Sequence, residues 1–304
     1  MKPLHEAAEL AAFQDEPKQL PSGAHGKNGL LRLGFARRGG RTVLAGLTRR
    51  TPLLAQRALY YDEAMPDLPC VMIISTAGGV LQGDRSAIEI ALAPDCEAHV
   101  TTQSATKIQE MDANFAAQTQ AIALDENAYL EFLPEPIIPY RSARFITHTR
   151  ISLPVSATVL YAEVLQPGRT HYNGGERFAY DVFSSTIRVE RPDGTALCSE
   201  KFVITPHLHD VHERSVMGRY DVYANVLLLT PPRHAQAVFD GTPAAIDSNA
   251  GIAYGASGLP GDAGIVYKVL GMTREAVQAQ VRAFWSAARR QIKGRDIPRE
   301  FLWR

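Results

Sequence analysis

Three histidines, His207-x-His209-x-x-His212, are the densest set of metal-ligand residue types in the chain. On a strand His207 and His209 would share a face. On a helix His209 and His212 would, because residues three apart are neighbours there. Neutral imidazole suits nickel and zinc, so a metal centre built from the three is one reading. Pro206 and Asp210 favour the other, an exposed loop in which the three rings are simply solvated.

Two carboxylates stand out by their surroundings. Asp84 closes the turn Gly78-Gly79-Val80-Leu81-Gln82-Gly83-Asp84, and Glu176 follows Gly174-Gly175. A carboxylate in such a turn can cap backbone N–H groups. It can equally line a polar passage, where oxygen ligands and retained water let a divalent cation pass without trapping it. The spacing of Gly78 and Gly83 matches a phosphate loop, but Asp84 and Arg85 stand where that loop needs Lys and Ser or Thr. A carboxylate there repels phosphate, and no helical pattern follows, so the motif lacks its structural context and argues against a nucleotide site. No G-x-S-x-G, H-E-x-x-H or cysteine–histidine motif is present, which points away from an enzyme.

The elements that position these groups are mostly strands. Residues 71–107 carry an apolar run, the glycine-rich turn, an alternating segment with Ile88, Ile90 and Leu92 on one face, and a second turn at Pro94-Asp95. Leu31, Leu33 and Phe35 alternate before Gly39-Gly40 and residues 43–47, which reads as a hairpin. Further strands are expected at 119–124, 128–133, 143–153, 158–165, 177–190, 200–205, 220–229 and 264–270. Their close spacing predicts a mostly antiparallel all-β body. Residues 107–114 are expected to be a loop or short turn. Residues 234–248 carry a helical pattern interrupted by Gly241 and Pro243. Residues 273–293 form a clear helix: Val277, Val281, Phe284, Ala288 and Ile292 make one apolar face. Thr273 suits its N-cap, Glu275 its first turn, and Arg289, Arg290 and Lys293 its last turn before Gly294. The basic residues complement the helix dipole, or together with Arg295, Arg299 and Arg304 they offer a docking surface to an acidic partner.

Composition bounds the class. Among 304 residues, 45% are apolar and 21% charged, enough for a sizeable core. Lys+Arg and Asp+Glu both total 32, and a balanced charge argues against nucleic acid as the main partner. Cys70, Cys96 and Cys198 are sparse and unpaired in pattern, as in a reduced, intracellular chain. No apolar run reaches the length of a membrane span or a secretory signal, so a cytoplasmic protein without membrane contact is expected. Residues 1–28 read as a flexible N-terminal arm and 29–304 as a single β-rich domain that includes the 273–293 helix.

Several motifs in order resemble the UreD (UreH) family of urease accessory proteins. They are the GG-hydrophobic…GD turn at residues 78–84 and Thr101-Thr102-Gln103-Ser104-Ala105-Thr106-Lys107. Upstream are Thr51-Pro52-Leu53 and residues 56–60. Downstream are Leu130-Glu131-Phe132-Leu133-Pro134, Gly168-Arg169 with Gly175-Glu176-Arg177-Phe178, and residues 259–264. The resemblance covers roughly residues 51–288. The family more often has Gly-Gly-Asp where this chain has Gln82-Gly83-Asp84, and residues 170–174 lengthen the G-R…G-E loop.

The resemblance implies a stacked-sheet, β-helix-like body with two α-helices. It implies a non-catalytic scaffold that binds apo-urease with UreF-type and UreG-type accessory proteins during nickel insertion. No tightly bound cofactor is implied; nickel would be held only in transit. Asp84 and Glu176 are the candidate passage or interface residues, and their loss is expected to lower urease activation without unfolding the chain. The alternatives are a metal-dependent hydrolase using His207, His209 and His212, and a UreD paralogue that matures a different client enzyme.

Overall fold

The computed structural model describes residues 4–16 and 28–298. In chain order the strands are β1 (Asn28–Arg38), β2 (Arg41–Arg50), β3 (Leu53–Ala55), β4 (Cys70–Ser75), β5 (Arg85–Leu92), β6 (Glu97–Thr102), β7 (Thr106–Ile108), β8 (Ala116–Leu124), β9 (Tyr129–Phe132), β10 (Ile137–Pro139), β11 (Arg144–Ser152), β12 (Thr158–Leu165), β13 (Val182–Glu190), β14 (Ala196–Ile204) and β15 (Val222–Leu229). Helix α1 (Pro232–Asp240) follows, then β16 (Ala245–Asp247), β17 (Ile252–Gly258), β18 (Gly264–Gly271) and helix α2 (Arg274–Lys293). They build two stacked sheets. The smaller has the order β14-β13-β11-β8-β5-β1-β2, the larger β16-β17-β18-β15-β12-β9-β6-β4-β3, with β7 and β10 beside β12.

The expectation of a mostly antiparallel body is corrected. At the centre, β5, β8, β11 and β13 run parallel in the smaller sheet, as do β4, β6, β9 and β12 in the larger. From β4 to β13 the chain passes repeatedly from one sheet to the other, so each return to a sheet comes after a full turn of the coil. A strand that returns this way runs in the same direction as its predecessor, whereas a tight hairpin reverses it. Antiparallel pairing lies toward the flanks, as in the hairpins β1–β2 and β13–β14 and in the run β12-β15-β18-β17. The expected body is therefore observed, as a coil with antiparallel wings.

Between the sheets lie two apolar layers. One contains Leu33, Ile90, Ile122, Phe132, Val159 and Leu227. The other contains Phe145, Leu165, Tyr180, Phe183 and Tyr223. The opposite face of the larger sheet packs through Ala162, Val226, Leu228 and Tyr267 against Ala235 and Val238 of α1 and Val277, Phe284, Trp285 and Ala288 of α2. Strands β12 and β15 are consequently buried at every residue. Each fully buried large apolar side chain contributes ~1.5–3 kcal/mol relative to exposure.

Helix α2 begins where the sequence places it. Thr273 accepts a hydrogen bond from the Ala276 N–H at 3.3 Å, and Gly294 closes the helix with φ 63°. The interrupted 234–248 pattern resolves into α1, ended at Gly241, and the short strand β16. Within the stretch expected to be an arm, Leu4–Glu6 and Ala8–Leu10 form 3-10 turns. Leu10 is buried against Phe115, Ala117, Ile146 and Val182, and Glu9 bonds Ser184 and Lys201. Residues 1–3 and 17–27 of that stretch, and Arg299 and Arg304 of the basic tail, lie outside the described residues. Among the described residues no helix is long and apolar enough to cross a membrane.

Candidate functional site

A cleft holding about 1300 Å³ of empty space, part of it open to solvent, enters between the sheets beside the glycine-rich turn. Gly78, Gly79 and Val80 line one side of its rim, and Gln103, Ser104 and Ala105 line another. Gly79 is required there: a Cβ would come within 2.8 Å of the Lys107 carbonyl oxygen and 2.6 Å of Gln109 Nε2. Asp84 lines the cleft and is buried, with Oδ2 accepting from the Leu81 N–H at 2.9 Å. It does both of the things its setting allows, holding the turn and facing the cavity. Deeper in, the walls are Gln118, Gln120, Thr147, Tyr161 and Glu163.

These inner residues belong to a polar layer running between the two apolar ones. Alternate residues of a strand share a face, and strand after strand repeats one sequence of inward positions. In β12, Glu163 lies between Tyr161 of the first apolar layer and Leu165 of the second. In β15, Asn225 lies between Leu227 and Tyr223, and in β13 Ser185 lies between Ile187 and Phe183. Thr147 and Thr149 do the same between Ile151 and Phe145. Further along, Lys268 of β18 lies between Val266 and Leu270, and Glu200 of the edge strand β14 between Cys198 and Phe202.

The hydrogen bonds follow the layer. Gln120 Nε2 donates to Thr149 Oγ1 at 3.0 Å and to the Tyr161 hydroxyl at 3.2 Å. Ser185 Oγ and Tyr161 OH donate to Glu163 Oε2 at 3.2 and 3.4 Å. Burial pushes the Glu163 carboxyl up to about 7; the Glu200 charge adds to this, and the hydroxyl hydrogen bonds oppose it. Oxygen donors and one buried acid between apolar walls can strip part of a small cation's hydration shell and hold it weakly.

Glu176 is elsewhere. Its carboxylate accepts two hydrogen bonds from Arg169, Nε at 2.6 Å and Nη2 at 2.5 Å, with Arg141 at 3.5 Å. Arg169 holds it below the usual carboxylate range, burial opposing. The Arg169 guanidinium is itself sandwiched between Tyr140 and Tyr172, 4.1 and 3.7 Å from the ring centres. A Cβ on Gly168 would sit on the Glu176 carbonyl oxygen, which explains the glycine of that motif. Glu176 thus locks its own loop and does not line the cleft that Asp84 lines.

The histidines are not brought together. His207 approaches Asp181 at 3.5 Å; His212 Nδ1 lies 2.8 Å from the Gly218 carbonyl oxygen and Nε2 3.6 Å from Asp221; His209 is exposed. Among the described residues no group of three or more His, Cys, Asp or Glu side chains is arranged to hold a metal ion.

Arg289 is a correction to the expected exposed basic face. It is fully buried, with Nε and Nη2 each donating to Glu131 at 2.7 Å and Nη1 paired with Asp62. Glu131 also meets His99 Nδ1 at 2.9 Å and the Tyr129 hydroxyl at 2.7 Å, while His99 stacks on Trp285. Lys293 bonds Glu97 at 3.0 Å. Of the three basic residues, only Arg290 is solvated, paired with Asp296.

The sequence profile of the family described as UreD urease accessory protein matches residues 27–304. The chain belongs to the UreD family. It is 55% identical over 300 residues to "Urease accessory protein UreD 2" of Brucella suis biovar 1 (strain 1330), covering 99% of both chains. It is 48% identical over 298 residues to "Urease accessory protein UreD" of Yersinia pseudotuberculosis serotype O:1b (strain IP 31758), covering 98% of this chain and 93% of that one. In this UreD-family chain the motif blocks now have distinct physical roles. The Gly-Gly…Gly-Asp turn shapes the cleft mouth, Leu130-Glu131-Phe132 anchors α2, and Gly168-Arg169…Glu176 builds a locked loop. The residues missed from the sequence are those of the polar layer, Glu163 above all. The signal was one acid inside an otherwise apolar strand, Tyr161-Ala162-Glu163-Val164-Leu165.

Proposed function

We propose that this chain is a non-catalytic urease maturation factor that binds apo-urease together with UreF-type and UreG-type partners. In this reading nickel is cargo, and it travels along the polar layer between the sheets. The observation that carries it is that layer, entered through the cleft at Asp84 and reaching the buried Glu163 between two apolar walls. Wide spacing of weak oxygen donors suits transit, because a site with a complete ligand set would retain the ion. Family membership supplies the client, and the absence of a phosphate loop in the sequence fits a GTPase partner of the UreG type. The expected compartment is the cytoplasm.

Co-expression with apo-urease and the UreF-type protein, followed by capture and mass analysis, tests the scaffold role. A complex containing all three is expected; capture of neither partner overturns it. The passage is tested separately with Glu163→Gln. Urease activity and nickel content are expected to fall roughly tenfold, the low end for loss of a metal-facing group, while the complex still assembles. Unchanged nickel content in an assembled complex overturns the passage.

A further inference from the structure

The polar layer does not end at Glu163. Glu163, Asn225 and Lys268 are register partners on the adjacent strands β12, β15 and β18, so they form one row about 5 Å apart per step. The row leads away from the cleft across β15 to β18, with β17 and β16 beyond it. There β14, the last strand of the smaller sheet, brings Glu200 over the same row. Asn225 Nδ2 donates to Glu200 Oε2 at 2.9 Å, and Lys268 Nζ pairs with Glu200 Oε1 and lies 3.2 Å from the Tyr223 hydroxyl. Asn225 is buried, yet its amide oxygen has no hydrogen-bond donor among the described residues. A buried carbonyl oxygen without a donor is costly, and the residue that carries it stands beside Glu163 in register and is bonded through its amide nitrogen to Glu200. Lys268 supplies the one positive charge of the row, on a flexible stem that is half-exposed.

We propose that Glu200, Asn225 and Lys268 form a second mouth of the polar layer, at which the Lys268 ammonium holds the place of a divalent cation. Glu200 and the amide oxygen of Asn225, with Glu163 behind them, give an all-oxygen set of the kind that hard and borderline divalent cations accept. Lysine is a point charge that can swing into solvent without leaving a buried cation behind. An arriving divalent ion therefore competes with a tethered monovalent one. Transfer onward follows when Lys268 returns. The role of this mouth in delivery rests on the passage reading above, but the cation site itself is measurable without urease.

The experiment is Ni²⁺ binding to the full chain by equilibrium dialysis and calorimetry, comparing wild type, Lys268→Met, and Lys268→Met combined with Glu200→Gln. Melting temperatures confirm folding. Lys268→Met is expected to bind one further Ni²⁺ per chain, or to bind it about tenfold more tightly, and the double variant to lose that gain. A folded Lys268→Met with wild-type stoichiometry and affinity overturns the proposal, as does a gain that survives Glu200→Gln. Should Lys268→Met not fold, Lys268→Gln replaces it; if neither folds, the ion pair is structural and the proposal fails. A nickel gain in Lys268→Met alongside unchanged urease nickel content in Glu163→Gln would leave the cation site standing and overturn the passage.

Discussion

The larger sheet treats buried charge in opposite ways on its two faces. On the helix side, Glu131, Asp62, Arg289 and His99 form a closed group in which carboxylates meet a guanidinium and an imidazole at hydrogen-bond distance. On the inter-sheet side, Glu163 meets hydroxyls, and the Lys268 ammonium of the same row is paired with Glu200. The two acids titrate in opposite senses as a result. Burial disfavours the Glu131 anion, but the hydrogen bonds and charge of Arg289, aided by His99, outweigh it and hold the carboxyl well below its usual range. At Glu163 burial wins. A fully paired group fixes α2 to the sheet; an incompletely paired one is costly to keep and is retained where an ion or a proton has work there.

The largest effect is expected from Arg289→Ala, which leaves Glu131 and Asp62 buried without their cation. Removing one partner of a buried ion pair costs ~3–5 kcal/mol, so denaturant titration should show a severely destabilised or unfolded chain. Near-wild-type stability would mean that the helix face does not depend on this group. Because the Glu131 carboxyl is depressed, its contribution is present above its unfolded value and is lost as pH falls below about 4.5.

Glu163→Gln comes next and has the opposite sign. The folded carboxyl, near 7, lies above the unfolded 4.5, so the folded chain binds the extra proton between these values and wild-type stability declines as pH rises through that window. The full shift is worth at most ~3 kcal/mol. Glu163→Gln should therefore gain on wild type in melting experiments at pH 8 relative to pH 5, even as nickel delivery falls. A constant difference across that range would mean that Glu163 is ionised throughout.

Much of the frame was legible from residue spacing alone. The first hairpin follows from Leu31, Leu33, Phe35 and Gly39-Gly40, and α2 from its Thr273 cap, its apolar stripe and Gly294. Arg289 was misassigned because its charge outweighed its position. It stands four residues after Trp285 and three before Ile292, on the buried side of the same stripe. Parallel strand order was not legible, since short strands separated by turns look alike whether the chain reverses or coils on to the opposite sheet. The polar layer was hidden for a related reason. Glu163, Ser185, Glu200, Asn225 and Lys268 each look like an isolated polar residue in one strand, and only the register aligns them.

Glu176→Ala sharpens the comparison at a smaller scale, because Glu176 is paired like Glu131 but near the surface. Losing its hydrogen bonds to Arg169 should cost ~1–2 kcal/mol and loosen residues 168–178 in hydrogen exchange. Nickel binding should be unaffected, since this carboxylate does not line the cleft. A nickel defect without added exchange would return Glu176 to the passage.

The smallest effect is expected at Arg290, the one residue of the basic trio left in solvent. Its pair with Asp296 is exposed on both sides, so water screens the attraction and both side chains lose rotamer freedom to form it. Such pairs contribute ~0–1 kcal/mol, and Arg290→Ala should change the denaturation midpoint negligibly. That neutrality makes Arg290 the informative probe of the docking surface: a buried residue such as Arg289 cannot be removed without loosening α2, whereas Arg290 can. If capture of the UreF-type partner or of apo-urease weakens in Arg290→Ala while stability holds, the exposed end of α2 belongs to an interface. If capture is unchanged, the basic residues of this helix act inward, through Arg289 on Glu131 and Lys293 on Glu97, and the partner surface lies elsewhere on the sandwich.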